Sequence, residues 1–356
     1  MKQIHSSTHF NASLSHSTKT KTKLYLIQRY FIIMSPHPVS ANMCWKIKTA
    51  EFARVTVNPL RLMSENQKII PNPTKDVITL QMGDPTVFGN FKRSEQSVDA
   101  IRQALEKDKF SYNCSVGSKE ARQAVAEYCR NQGNVTADDV ILTSGCSAAL
   151  EMCFATLADP GDNILTPRPC FNYTTWLLGS KIEPRFYDLD PSNDWEINLK
   201  HLESQIDEKT RGLLINNIGN PCGNIFTKSH ILDVLKIAER YQIPIISDDI
   251  YEHFVFPGNE YFSICALSKN VPVLSCGGLT KRFLMPGIRM GWIVVHDRHN
   301  ALQELKQGLV NISGRNFGPN CTIQHALPNI LRNTPQSFFD DVLHRVAVSL
   351  LTNFND

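Results

Sequence analysis

Four groups of residues, each after a short apolar run, have types suited to binding a phosphate-bearing ligand. They are Ser144-Gly145-Cys146, Asn220, Asp248 with Tyr251, and Lys281 with Arg289 eight residues on. The first group leads into a helical pattern, and backbone N–H groups at a helix N-terminus favour an anion such as phosphate. Each group alone has an ordinary structural explanation, such as a helix cap, a turn or a solvated side chain. Their conjunction at successive strand ends predicts a ligand site.

An alternation of short apolar runs and amphipathic segments must position these groups. Apolar runs predict strands at 140–143, 163–166, 182–187, 212–216, 243–247, 271–275 and 290–295. Helical spacing predicts helices around 98–105, 121–128 behind a Ser118 cap, 147–158, 231–238, 298–313, 319–332 and 335–352. Parallel strands need crossovers of a dozen or more residues, usually helices, so the pattern indicates a doubly wound α/β sheet. Ligands of such sheets bind beyond the carboxyl ends of the strands.

Composition and charge exclude several classes of function. The chain has 356 residues, 42% of them hydrophobic and 20% charged, which is ordinary globular usage and enough for about two domains. The first 50 residues hold seven Lys or Arg and no acid, and the remainder carries a net charge of −4. Because nucleic-acid binding needs clustered surplus cations, the body of the chain gives no basis for a nucleic-acid partner.

Other motif classes are also missing from the sequence. The ten Cys have irregular spacing without C-x-x-C, which predicts reduced thiols, a cytoplasmic location and no structural zinc. The apolar stretch 24–34 is interrupted by Gln28 and Arg29 and falls short of the ~20 residues of a membrane span. There is no G-x-G-x-x-G after a strand, no P-loop and no H-E-x-x-H, so neither a nucleotide site nor a metal site is predicted.

The first 42 residues are basic and rich in Ser, Thr and His. Three explanations stay open for them: a transit peptide, which would make the location mitochondrial; a disordered tail; or a mis-assigned start, with Met34 or Met43 as the true initiator. In each case we exclude them from the predicted fold.

Long motifs along the chain carry a resemblance to a known family. They include Asn72-Pro73-Thr74, Gly83-Asp84-Pro85-Thr86-Val87-Phe88-Gly89-Asn90, Ile141 through Ser147, Pro167-Arg168-Pro169, Asp194-Trp195-Glu196-Ile197, Ser275-Cys276-Gly277-Gly278 and Gly318 through Ile323. On these stretches the chain resembles the fold-type I aminotransferases that use pyridoxal phosphate. The likeness covers about residues 45–356, and the run 83–90 favours the branch that acts on tyrosine.

The resemblance implies a fold and a domain organisation. The expected fold is α/β, with a large domain whose mixed, mostly parallel sheet is sandwiched by helices, plus an incomplete small α/β domain. Residues 1–44 would be the disordered or mis-assigned extension, and 45–95 an N-terminal arm with a small-domain segment. Residues 96–315 would form the large cofactor-binding domain, and 316–356 the helical start of a truncated small domain.

The resemblance also implies catalytic roles for three residues. Lys281 would form the Schiff base with the cofactor aldehyde and, once displaced by the substrate amine, move the proton between the substrate α-carbon and the cofactor. Asp248 would pair with the pyridine nitrogen and keep it protonated, so that the ring accepts electrons. Tyr251, together with Asn220, would hydrogen-bond the phenolic oxygen of the cofactor.

The remaining implied roles concern binding of cofactor and substrate. Phe171 would stack on the ring face, and Arg289 with the turn Ser144, Gly145 and Cys146 would hold the phosphate. Tyr112 would reach the phosphate of the neighbouring subunit, which implies a homodimer. Gly83 and Asn220 are the expected substrate contacts.

The implied reaction transfers the amino group of an aromatic L-amino acid, tyrosine preferred, to 2-oxoglutarate in tyrosine breakdown. Its products are 4-hydroxyphenylpyruvate and glutamate. One alternative is another transaminase of the class, acting on alanine or kynurenine, or a related lyase. Another is a truncated product with impaired catalysis, because the family binds the substrate carboxylate with an Arg beyond the last residue of this sequence.

Overall fold

A single sheet organises the part of the chain that the computed structural model describes, residues 83–87 and 89–353. Within these residues eight strands form the order β1-β8-β7-β6-β5-β2-β3-β4. The strands are β1 (Val140–Thr143), β2 (Asn163–Arg168), β3 (Glu183–Asp190), β4 (Glu196–Ile197), β5 (Thr210–Asn216), β6 (Ile245–Asp248), β7 (Val273–Gly278) and β8 (Gly291–His296).

Strand direction decides which residues meet at one edge. β2 pairs in parallel with β3 and β5, and β6 pairs in parallel with β5 and β7. β8 runs antiparallel to both β7 and β1. Consequently the carboxyl ends of β1, β2, β5, β6 and β7 and the amino end of β8 lie along the same edge. A residue just before β8 therefore lies at the same end of the sheet as the residues that follow the other strands.

Helices cover both faces of the sheet because alternate residues of each strand point to opposite sides. Ile246 and Leu274 contact a layer that includes α3, α4 and α8, whereas Ile245 and Val273 contact the layer of α6 and α7. The helices are α1 (Glu95–Glu106), α2 (Lys119–Tyr128), α3 (Cys146–Leu157), α4 (Thr174–Gly179), α5 (Leu199–Ser204), α6 (Lys228–Arg240), α7 (Ile264–Leu267), α8 (Gln303–Ser313), α9 (Cys321–Asn333) and α10 (Gln336–Asn353).

The sequence-based expectations for the fold are largely confirmed. Seven strands and the longer helices lie at the predicted places, and the Ser118 hydroxyl caps α2 by accepting the Ala121 N–H at 3.3 Å. The mixed, mostly parallel sheet is confirmed as well. The predicted division into domains stays a prediction, and 1–44 and 45–82 lie outside the described residues.

Neither a membrane-spanning helix nor a metal-binding group of side chains is found among the described residues. None of these helices has both the length and the apolar character that crossing a bilayer requires. Over the same residues, no group of three or more His, Cys, Asp or Glu side chains is arranged to hold a metal ion.

Candidate active site

Lys281 lies in the loop that follows β7, beside the segment that contains Gly83. Its Nζ donates a hydrogen bond of 2.9 Å to the Gly83 carbonyl and lies 5.8 Å from the centre of the Tyr251 ring. Burial lowers the pKa of Lys281, and the charges of Asp84 and Asp248 act in the opposite direction. A lowered pKa enlarges the neutral fraction of the amine near neutral pH, the form that acts as nucleophile or base.

Asp248 is the last residue of β6 and is only 4% exposed. Its Oδ2 accepts the Tyr173 hydroxyl at 2.8 Å, and its Oδ1 accepts the Ile250 N–H at 3.3 Å and the Cys146 thiol at 3.7 Å. Burial raises the pKa of Asp248, and these hydrogen bonds and the Lys281 charge partly offset that effect. A buried carboxylate with this surrounding is suited to face a cationic ligand group.

The turn between β1 and α3 forms an anion cradle together with Arg289. Arg289 precedes β8, and its Nη2 donates to the Ser144 carbonyl at 3.0 Å. Gly145 has a φ of +89°, and a Cβ placed there would come 2.5 Å from that Nη2. The N–H groups at the start of α3 and the guanidinium therefore meet at the sheet edge, an arrangement that favours phosphate.

Tyr251 and Asn220 are each linked to Asp248, the first through charge and the second through a chain of hydrogen bonds. Burial and the Asp248 charge raise the pKa of Tyr251 to about 12, so its phenol stays protonated and able to donate. The Asn220 N–H donates to Asn216 Oδ1 at 2.8 Å, and Asn216 Nδ2 donates to the Asp248 carbonyl at 3.0 Å. Asn220 is thus tied to Asp248 through Asn216.

Two predicted residues lie further from this group. Phe171 is 37% exposed, and its ring centre lies 5.6 Å from that of Tyr173, which places it one side chain away from Asp248. Tyr112 is 89% exposed and contacts the ring of Phe317 at 5.4 Å, and no contact links it to Lys281 or Arg289 within the described residues.

Residues 75–347 match the sequence model of the aminotransferase class I and II family, which spans most of the chain and all the site residues above. The chain belongs to this family. Class I and II aminotransferases exchange amino groups between amino acids and 2-oxo acids, and pyridoxal phosphate is the cofactor of the family. The grouping of an amine, a buried carboxylate and an anion cradle at one sheet edge agrees with that chemistry.

Individual relatives of the chain include tyrosine and alanine aminotransferases. A tyrosine aminotransferase from Mus musculus is 47% identical over 303 residues, 84% of this chain and 67% of the relative, and one from Homo sapiens is 45% identical over the same shares. Among solved structures, tyrosine aminotransferase from Leishmania infantum has a TM-score of 0.81 at 31% identity, covering 87% of this chain and 79% of that one. Alanine aminotransferase from Pyrococcus furiosus has a TM-score of 0.74 at 29% identity, covering 83% and 76%.

Sequence reasoning missed two residues of this aminotransferase site, Tyr173 and Asn216. Asn216 is the register partner of Asp248 on β5, so the strand-end argument that selected Asp248 applies to it equally. Tyr173 reaches Asp248 from the segment between β2 and α4, and no sequence signal places it there. Its fully buried ring and hydroxyl contact with Asp248 emerge only from the fold.

A cavity of about 790 Å³ lies at the opposite edge of the sheet, away from these residues. Its two arginines are already bound: Arg298 donates to the carbonyls of Ser268 and Cys265, and Arg211 pairs with Asp162. Size alone therefore does not identify the active site of this aminotransferase, because the groups suited to the reaction lie elsewhere.

Proposed function

We propose that this chain transfers the amino group of an aromatic L-amino acid, tyrosine preferred, to 2-oxoglutarate. The products would be 4-hydroxyphenylpyruvate and glutamate, in the breakdown of tyrosine. The tyrosine aminotransferases of mouse, cow and human, at 45–47% identity, support this substrate class. The observation that carries the proposal is that the buried Asp248 carboxylate, held by the Tyr173 hydroxyl at the end of β6, and the Lys281 amine, in the loop after the neighbouring strand β7, lie at the same end of the sheet.

The residues present fit pyridoxal phosphate. Besides the cationic and anionic partners, two glycines let the backbone and Arg289 close up around the cradle. A Cβ on Gly291 would lie 2.6 Å from the Cys146 N, and one on Gly145 would lie 2.5 Å from Arg289 Nη2. When bound, the cofactor supplies an aldehyde and an electron-accepting ring.

Asp248 would hold a proton at the ring nitrogen. Its buried carboxylate gains a cationic partner there, which lowers the cost of keeping it charged in a dry site. Tyr173 and Cys146 orient the carboxylate by donating hydrogen bonds to its Oδ2 and Oδ1, respectively. Orientation without later rearrangement is what preorganised electrostatic catalysis requires.

Lys281 would bind the cofactor aldehyde and then carry the proton to and from the substrate α-carbon. Its lowered pKa favours the neutral amine that both tasks need. The hydrogen bond to the Gly83 carbonyl directs Nζ toward the segment expected to contact substrate. The Tyr251 ring lies beside Nζ, with its centre 5.8 Å away.

Arg289 and the turn 144–146 would bind the phosphate and fix the ring between Asp248 and Lys281. The exposed Tyr112, with Phe110 and Phe317 also exposed, supports a homodimer in which Tyr112 completes the partner's phosphate site. The nine described cysteines are free thiols, which supports the cytoplasmic location.

The decisive experiment incubates the purified protein with pyridoxal phosphate, reduces it with borohydride and maps the labelled peptide. We expect label on Lys281, none in Lys281→Ala, and normal labelling in Lys107→Ala, a surface control. Turnover of Lys281→Ala should fall by on the order of 10² to 10⁴-fold, the usual contribution of an acid–base residue. Label on a different lysine would overturn the assignment.

Substrate preference is tested with the same protein on tyrosine, phenylalanine, alanine and kynurenine, with 2-oxoglutarate as acceptor. The proposal requires the largest kcat/KM for tyrosine. A preference for alanine would reassign the chain within the family, in line with its similarity to the alanine enzyme of Pyrococcus furiosus.

A further inference from the structure

Asp249, next to Asp248, points to the other side of β6 and makes a separate set of contacts. Its Oδ1 accepts the Ser247 hydroxyl at 2.6 Å, and its Oδ2 accepts the Ser275 hydroxyl at 2.5 Å. Ser247 and Ser275 are register partners on β6 and β7, and both are fully buried. One carboxylate therefore bridges two neighbouring strands, each through a different oxygen.

The backbone extends this bridge. The Asp249 N–H donates to the Cys276 carbonyl at 2.9 Å, one step beyond the last register pair of β6 and β7. The two strands are thus fastened to each other where β6 ends and β7 approaches its glycines. Asp248 is the last residue of β6, and Lys281 lies in the loop that follows β7.

Stability alone does not explain a carboxylate at this place. Asp249 is 4% exposed, and burial together with the charge of Glu252 raises its pKa to about 7. Apolar residues of similar volume often stabilise a core as well as or better than a buried charged group. The two serine contacts add directional constraints to strands that are already paired, which apolar packing would not do, because dispersion contacts are not directional.

We propose that Asp249, with Ser247 and Ser275, is a positioning residue that holds the ends of β6 and β7 in register, so that Asp248 and Lys281 act on one cofactor. This inference rests on the proposed cofactor site. Asp249 touches neither the cofactor nor substrate in this proposal. It acts through the two strands that carry the catalytic residues.

The test compares the affinities of the protein for pyridoxal phosphate and pyridoxamine phosphate. Both ligands present the same ring and phosphate to Asp248 and Arg289, but only the aldehyde reacts with the Lys281 amine. Loosening the strand ends should weaken the aldehyde form selectively. We expect Ser275→Ala and Asp249→Asn to reduce the preference for pyridoxal phosphate by about tenfold, the size of effect typical when a group supporting a site residue is removed.

Ser268→Ala is the matched control, since that buried hydroxyl donates to the Val271 carbonyl at 2.6 Å, away from Asp248. It should lower the melting temperature like Ser275→Ala and leave the affinity ratio unchanged. Should Asp249→Asn fail to fold, Ser247→Ala and Ser275→Ala still decide the matter. Serine variants with the wild-type ratio would overturn the positioning role alone, whereas a wild-type protein that binds neither ligand would overturn the proposed function and the inference together.

Discussion

Tyr173 permits a single-atom test of how Asp248 is held. Tyr173→Phe removes the hydroxyl that donates to Asp248 Oδ2 and preserves a fully buried ring. We expect the pKa of Asp248 to rise further, because this hydrogen bond lowers it. Cofactor affinity and the rate of the first half-reaction with tyrosine should each fall by about tenfold, measured by titration and stopped-flow absorbance.

Tyr187→Phe is the matched control for that change. Tyr187 is also fully buried, and its hydroxyl donates to the Leu214 carbonyl at 2.7 Å, away from the site. Both variants should lose about 1 kcal/mol of unfolding free energy, the net value of one hydrogen bond. Equal cofactor affinity in the two variants would mean that Tyr173 only packs.

At the scale of elements, the approach of β8 to the β1–α3 turn depends on glycine. A Cβ on Gly291 would lie 2.6 Å from the Cys146 N, so Gly291→Ala must push the anion cradle away from the sheet. We expect the affinity for pyridoxal phosphate to fall by on the order of 10 to 100-fold, measured by fluorescence titration. Gly287→Ala, where nothing lies within 4 Å, should bind normally. Normal binding by Gly291→Ala would place the phosphate elsewhere.

Elements differ in how far the sequence predicts them. Long apolar runs and 3.6-residue periodicity predict seven strands and the long helices, because burial on one or both faces leaves a direct pattern. The pair Glu196–Ile197 of β4 and the six-residue helices α4 and α5 are too short to leave one. The antiparallel insertion of β8 between β7 and β1 is a tertiary arrangement, and it is what brings Arg289 to the edge shared with Asp248.

The sequence likewise predicts some residues of the site and not others. Residues at or shortly after the ends of strands, such as Asp248 and Lys281, are predictable because strand ends converge at one edge. Tyr173 contacts Asp248 across 75 positions of sequence, and Asp249 contacts Ser275 across 26. Such contacts depend on which strands become neighbours, and a single sequence does not specify that order.

For the whole molecule, the proposed homodimer predicts complementation between variants. If Tyr112 contributes to the partner's site, each site combines Lys281 of one subunit with Tyr112 of the other. The substitutions Lys281→Ala and Tyr112→Ala then remove residues from different subunits of a site. Mixed dimers then contain one intact site, and random pairing should restore roughly a quarter of wild-type turnover. Pairing Lys281→Ala with Asp248→Asn is the control, since both side chains belong to one subunit and no intact site forms. Equal activity in the two mixtures would contradict a composite site.

The pH dependence of global stability contains an identifiable contribution from His296. This residue is 3% exposed, and burial, followed by the charge of Arg298, lowers its pKa from 6.5 to about 4. Between pH 6.5 and pH 4 the unfolded chain therefore binds a proton at this residue that the folded chain does not bind. The contribution of His296 to the free energy of unfolding, fully present above pH 6.5, is lost as the pH falls toward 4. Linkage gives a loss of about 2 kcal/mol between pH 7 and pH 5.

Asp249 acts in the opposite sense over the same range, because its raised pKa makes the folded chain retain a proton that the unfolded chain releases. Wild-type stability alone therefore mixes the two contributions. His296→Gln keeps a donor for the Gln132 Oε1 that His296 Nε2 contacts at 3.1 Å and removes only the titration. Relative to wild type, we expect the variant to gain about 2 kcal/mol on going from pH 7 to pH 5 in urea unfolding. Parallel curves for the two proteins would mean that His296 binds a proton equally readily in the folded and the unfolded chain.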